Sequence, residues 1–417
     1  MVETVAGSGG GVPLAPRAAA RATAALIALR IGYAYNWLDI GPALRPIGTT
    51  YGVGPADWGI LVAAFLLGAG LLQVPAGLLS RRYGARSVSI AGVAILAVGS
   101  AACGAAPSFW ALVSLRLVAG VGAALFFSPA IGLVASLYPP GRQGIPVGTF
   151  SSAFSLGAAL GIVGSSLLIP VLGWQLALVV GGVILGVPTL FSIALVPPAA
   201  GAAPKGPRPR GPSIPAALAY RGVWAVGIAF IGLEGATFAT GNFVVPWGET
   251  VQGWSIALAG VVGMMFILPS VAGGPIGGRL AERYRNHRTQ FVVATLAAAV
   301  VLLALPWAGI AAAIAIGTIF AFSYGIVYAV MYVVPLFWRE VPTAEIPLAI
   351  GLLNAIQLAG GAAVSPLFGE IVATYSYSVA WEALAGMMVV TLVALVLLPP
   401  TPAVAGDPPA AAGPAPP

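Results

Sequence analysis

Charge is what this chain has least of. Only 7% of its 417 residues are Asp, Glu, Lys or Arg, against about 25% in a typical soluble domain. Such a surface cannot face water over most of its area. Lysine, histidine and cysteine each occur once, at Lys205, His287 and Cys103. One cysteine excludes an internal disulfide framework, and one histidine with one cysteine cannot assemble a His/Cys metal site, so neither metal nor cofactor is expected. The single lysine belongs to no phosphate-binding loop, and Gly120-Val121-Gly122 lies inside an apolar run rather than after a strand. Nucleotide-driven work by this chain alone is therefore disfavoured. A lone histidine expected in a loop also argues against a Ser-His-Asp site, and no enzyme activity is expected.

What is abundant is apolar length. Hydrophobic residues make up 59% of the chain, and mean hydropathy is +1.00. A helix crossing a ~30 Å hydrocarbon core needs roughly 20 apolar residues. Twelve such runs are read at 23–45, 57–79, 87–106, 108–138, 145–170, 173–196, 222–246, 255–278, 289–307, 309–337, 345–372 and 377–399. Lipid offers no partner for open backbone groups, so these runs are expected to be helices and the fold an all-α polytopic membrane protein. Residues 1–20 and 400–417, rich in Gly, Ala and Pro, are expected to be disordered, and no cleavable leader is evident. The Pro-rich basic segment 197–221 then separates two bundles of six helices, 21–196 and 222–399.

A repeat supports that division. Gly59, Phe65, Leu67, Gly77, Leu79, Arg82 and Tyr83 recur 201 residues later as Gly260, Phe266, Leu268, Gly278, Leu280, Arg283 and Tyr284. Duplicated membrane proteins of this kind are most often transporters. Arg17, Arg21, Arg81, Arg82, Arg86, Arg142, Lys205, Arg208, Arg210, Arg221, Arg279, Arg283, Arg285, Arg288 and Arg339 all fall on one expected side, with Arg45 in a loop on the other. The positive-inside bias puts both termini and the linker in the cytoplasm of a cell-membrane protein. The net charge of +7 sits in short loops beside helix ends, so anionic lipid is a better partner than nucleic acid.

Two local motifs sharpen the reading. Gly77, Leu79, Arg82, Gly84 and Arg86 match the loop signature that follows the second helix of the major facilitator superfamily. Leu112, Arg116, Gly120, Gly122, Ala123 and Ala124 match that family's fourth-helix signature. Over residues 20–400 the chain resembles this superfamily. The resemblance implies two six-helix bundles around a central cavity, working by alternating access; a monomer is expected, since small-residue faces such as Gly120/Gly122 are explained by packing within one chain. One departure stands out: Arg81 occupies the place of the family's usual loop aspartate, thought to hold the halves together, whereas the second copy keeps Glu282 beside Arg283. A helix N-terminus repels a cation, so Arg81 should not perform the aspartate's gating role. The alternative is that these loops carry topogenic charge only.

Charged residues at membrane depth are costly and are the candidate working groups. Arg116 is expected roughly 12 Å and Asp39 roughly 10 Å from the outer surface at 1.5 Å per residue. They are therefore candidates for a pair that either switches with protonation or simply holds two helices. Glu234 is expected near the bilayer centre, where an isolated carboxylate must be protonated or paired. It is the leading proton-carrying candidate, against a protonated Glu bonded to a neighbouring helix. Arg30 lies nine residues before Asp39, or 180° around an ideal helix at 100° per residue. Tyr35, Asn36 and Asp39 therefore share one face, and Arg30, Tyr33 and Trp37 the other. Arg30 is expected to snorkel toward the cytoplasmic interface.

Tyr324, Tyr328 and Tyr332 form a stripe at four-residue spacing, and Asn354 and Gln357 share a face. With Gln73 they complete the candidate cavity, or serve interhelical packing. The leading expectation is a secondary transporter of a small organic solute, coupled to protons. Proton-driven efflux of drug-like compounds is the runner-up, disfavoured because Gly157, Gly161 and Gly164 lack the Gly-Pro of the antiporter signature. A non-transporting sensor or scaffold on the same fold is the alternative of another class.

Overall fold

The computed structural model describes residues 15–139, 142–197, 200, 220–284, 286–337 and 346–397. The expected linker, the C-terminal tail, most of the N-terminal segment, and Arg285 and Arg339 lie outside them. Among the described residues every regular element is helical. The first half contains α1 (Pro16–Leu38), α2 (Leu44–Tyr51), α3 (Pro55–Leu71), α4 (Gln73–Tyr83), α5 (Ala85–Cys103), α6 (Phe109–Ser136) and α7 (Gly144–Leu195). The second contains α8 (Arg221–Thr250), α9 (Ile256–Met265), α10 (Ser270–Tyr284), α11 (His287–Leu303), α12 (Ile310–Val333), α13 (Ile346–Thr374) and α14 (Tyr377–Thr391).

Ten helices among the described residues are long and apolar enough to cross a membrane, two of them counted across a break. One of the ten, α7, has 52 residues, about 78 Å at 1.5 Å per residue and far beyond one hydrocarbon core. Gly173, at φ 79° and ψ 161°, turns it back on itself, giving two spans. A side chain there would be strained in the left-handed region. With α1 as a further span, the arrangement is consistent with the twelve expected.

Boundaries differ from expectation where proline or a cap decides them. Pro16 takes the first turn of α1, where its missing N–H is no loss, so the helix starts ahead of residue 21. That helix ends at Leu38, not near 45, with Asp39 as its C-cap and Pro42 in the short 3-10 turn that follows. The run 57–79 is two helices meeting at Leu72. Pro75 cannot accept a helical neighbour at its i−4 carbonyl without a clash, which favours the break. The corresponding run in the second half breaks across Phe266–Pro269. Ser108, Ser255 and Ser376 cap α6, α9 and α14 through their hydroxyls, each worth about 1 kcal/mol.

The two halves meet backbone to backbone at the end of the molecule that carries Arg45. A Cβ on Gly59 would collide with Ser365 and Pro366 of α13, and one on Gly369 with Pro55. A Cβ on Gly260 would collide with Ser166 of α7, and one on Gly41 would lie 2.8 Å from the Asn242 Cα. The repeated glycines Gly59 and Gly260 thus perform the same task in opposite halves. An Arg45–Glu249 ion pair at 3.3 Å also joins α2 to α8 at this end.

The repeat is visible at the other end as well. Arg82 lies over the Tyr83 ring at 5.2 Å, and Arg283 over Tyr284 at 5.4 Å. Gly84, at φ 87°, makes the turn from α4 into α5. Arg86 donates to the Val196 and Ile193 carbonyls at 2.8 and 2.7 Å, satisfying the exposed C-terminal end of α7. Arg86 is thereby a helix cap. The Arg81 side chain lies outside the described residues. Glu282 is exposed and has no ion-pair partner among the described residues, and Gly77 and Gly278 face open space. His287, expected in a loop, is the buried first residue of α11 and hydrogen-bonds the Ala281 carbonyl.

Replacing Gly369 by Val should cost about 1–3 kcal/mol through overpacking and loosen the seam. With Cys103 replaced by Ser, a cysteine at buried Asn242 should then react faster with a membrane-impermeant thiol reagent than in the Gly369 parent.

Candidate functional site

Between the halves lies a cavity of about 310 Å³ including its open mouth, lined by Arg30, Tyr33, Trp37, Gln73, Phe127, Phe154, Glu234, Phe238, Tyr324, Tyr328, Asn354 and Leu358. Seven helices supply it: α1, α4, α6 and α7 from one half, α8, α12 and α13 from the other, with only Gln73 contributed by α4. Trp37 stacks on Phe238 across the seam, with centroids 5.5 Å apart and planes at 27°. Glu234 is 3% exposed and leaves Oε2 without a hydrogen-bond partner. Tyr332 donates to Asn354 Oδ1 at 3.1 Å and shares a hydrogen bond with the Tyr328 hydroxyl at 3.2 Å, and Gln357 also donates to Asn354. The tyrosine stripe and the Asn/Gln face are therefore one hydrogen-bonded wall, with Gln357 just behind the lining.

Arg30 does not snorkel. It is 3% exposed, and its guanidinium carbon lies 4.5–5.5 Å from the ring centroids of Phe127, Tyr33, Phe154 and Phe150. Aromatic faces attract the cation at this depth, which removes the need to reach for water. The 180° separation along α1 decides the rest. Since the Arg30 face fronts the cavity, the Asp39 face must point away from it.

That is where Tyr35, Asn36, Asp39 and Arg116 are found. None lines the cavity; they lie inside the first half against α7 and α6. Arg116 Nη1 is 3.4 Å from Asp39 Oδ1 and donates to the Asn36 carbonyl at 3.2 Å, with its guanidinium 4.5 Å over Phe65. Ser165 donates to the Asp39 carbonyl, and Asn36 donates to the Gly32 and Gly181 carbonyls. Both charged side chains are essentially inaccessible. This geometry favours the holding pair over the switching one. The second half has no counterpart at the same place: Gly317 stands 201 residues after Arg116, and the Phe266 ring packs directly on it.

Phe127, Phe154 and Phe238 were not anticipated as cavity residues. A phenylalanine in an apolar run is indistinguishable by sequence from one facing lipid, and only its position opposite Arg30 or Trp37 reveals it.

These two bundles, with a cavity at their seam, can be set beside known proteins. A model of the Major Facilitator Superfamily matches residues 24–339. The chain belongs to this superfamily. It is similar to the multidrug resistance protein Stp of Mycobacterium tuberculosis, 30% identical over 154 residues, covering 36% of this chain and 29% of that protein. The chain thus matches less than a third of that relative's length. A longer match is to an uncharacterized transporter of the same superfamily from Mycobacterium tuberculosis, 28% identical over 82% of this chain and 76% of the relative. Among solved structures, a bacterial homolog of the human lysosomal transporter Spinster, inward-facing and unoccupied, superposes with a TM-score of 0.71. It shares 20% identity over 92% of this chain and 96% of that one, which speaks to fold alone. This superfamily member is accordingly a multi-pass membrane protein.

Removing one partner of the buried pair, as in Asp39→Ala, should destabilise the protein by about 3–5 kcal/mol. Asp39→Asn combined with Arg116→Gln should recover much of that loss in thermal melts of the purified protein.

Proposed function

We propose that this protein is a secondary active transporter that moves a small organic solute across the cytoplasmic membrane by alternating access, with Glu234 carrying the coupling proton. One observation carries the reading. A cavity at the seam receives a buried carboxyl from one half and a buried guanidinium from the other, neither of them ion-paired among the described residues. Charges are expensive at membrane depth and persist there mainly where they act.

The tight glycine contacts close the Arg45 end of the seam. If both termini are cytoplasmic, as the positive charges favour, this is an inward-facing arrangement. An ionised Glu234 without a cationic partner is costly in apolar surroundings, and proton uptake removes that cost. Proton occupancy therefore changes the relative stability of the conformations that bury Glu234 and those that hydrate it, which is the requirement for coupling. The protein acts as a monomer surrounded by lipid, and anionic headgroups meet its basic loops.

Efflux of drug-like compounds in exchange for protons is a second reading. It is favoured by the similarity to a multidrug resistance protein and by the aromatic cavity walls. The missing Gly-Pro after Gly157 and Gly161 counts against it.

Proteoliposomes with and without a pH gradient separate these readings by the direction of solute movement that the gradient drives. Glu234→Gln is expected to abolish gradient-driven accumulation while leaving solute exchange across the membrane in place. Accumulation at the parental level in that variant would remove Glu234 from the coupling step.

A further inference from the structure

Arg30 is a buried cation without an anion. Its Nε and Nη1 have no hydrogen-bond partner, and four aromatic rings surround its guanidinium. The other deeply buried arginine, Arg116, has Asp39 within ion-pair distance; Arg30 has no acid so placed among the described residues. A guanidinium stays protonated, so it cannot relieve its burial by discharging, as a lysine or a glutamate can. Its planar fork of N–H donors matches a carboxylate in bidentate geometry. The rings are attracted to the cation through their faces and leave Nε and Nη1 without an acceptor.

We propose that the cavity takes a small organic monoanion, its carboxylate forked on Arg30 and its apolar body against Trp37, Phe154 and Phe238. This rests on the cavity being the transport site and adds the class of substrate. Charge restricts the ligand. Glu234, on the opposite wall, would repel a second anionic group whenever it is ionised, so a dianion is excluded while a monoanion is not. The stacked Trp37 and Phe238 rings bridge the two halves at this point. A flat apolar body lying on them would touch both halves at once.

The full-length protein in lipid nanodiscs can be titrated calorimetrically with benzoate, phenylacetate and hexanoate, and with benzamide and benzylamine as neutral and cationic matches. At least one monocarboxylate is expected to bind, benzamide about tenfold or more weaker, a difference of about 1.4 kcal/mol, and benzylamine not at all. Arg30→Gln should abolish that binding, and Arg30→Lys, which keeps the charge but not the fork, should weaken it. If Arg30→Gln does not fold, the lysine variant carries the test. Binding of benzylamine or benzamide in preference, no response to any monocarboxylate, or affinity unchanged in the Arg30 variants would overturn the proposal. The same panel in proteoliposomes distinguishes the two claims. Gradient-driven movement of the amine or amide alone sinks the anion class and leaves the transporter reading. Anion binding without movement of any solute supports the anion site and sinks the transporter reading.

Discussion

Close approach of backbones at the seam between the halves is the constraint on which the rest depends. Gly59 and Gly260 let α3 meet α13 and α9 meet α7 with nothing between them, and Gly369 and Gly41 extend the contact. In lipid there is little hydrophobic drive for apolar helices to associate, so close packing of small residues carries the association. The halves touch tightly at the Arg45 end, and the cavity between them lies deeper, among bulky side chains.

The architecture was largely legible in the residues. A long apolar run has few structural options in a bilayer, and a constant offset of 201 residues is hard to produce without duplication. Twofold use of Gly59 and Gly260 agrees with it. Less legible were the ends of spans, because caps and prolines act on single residues: Pro75 divided one expected helix and Gly173 turned another. The residues expected to line the cavity divide into two groups. Glu234, Gln73, Tyr324, Tyr328 and Asn354 do line one cavity, whereas Asp39, Arg116, Asn36 and Tyr35 form a separate cluster. Sequence fixes which residues of α1 share a face but not which face turns inward. The depth of a charge says that it needs a partner, not whether the partner is protein or ligand.

Arg30 and Arg116 illustrate that difference. Both are deeply buried, and both lie over aromatic rings. Arg116 also has a carboxylate, a backbone carbonyl and a neighbourhood tied to α1 and α7, so its charge is largely satisfied by the fold. Arg30 has ring faces and no carboxylate among the described residues, with Nε and Nη1 lacking an acceptor. Two residues with the same side chain and similar burial are thus divided by their acceptors, one belonging to the framework and the other available to something that enters.

The absence of an Arg116 counterpart in the second half has a mechanical meaning. Gly317 and the Phe266 ring occupy the place where the first half has an ionic strut from α6 to α1. A strut resists shear between helices, while a ring resting on a glycine permits sliding. The two bundles, alike in outline, are then unequal in stiffness. The bundle that lacks the strut is the one that carries Glu234.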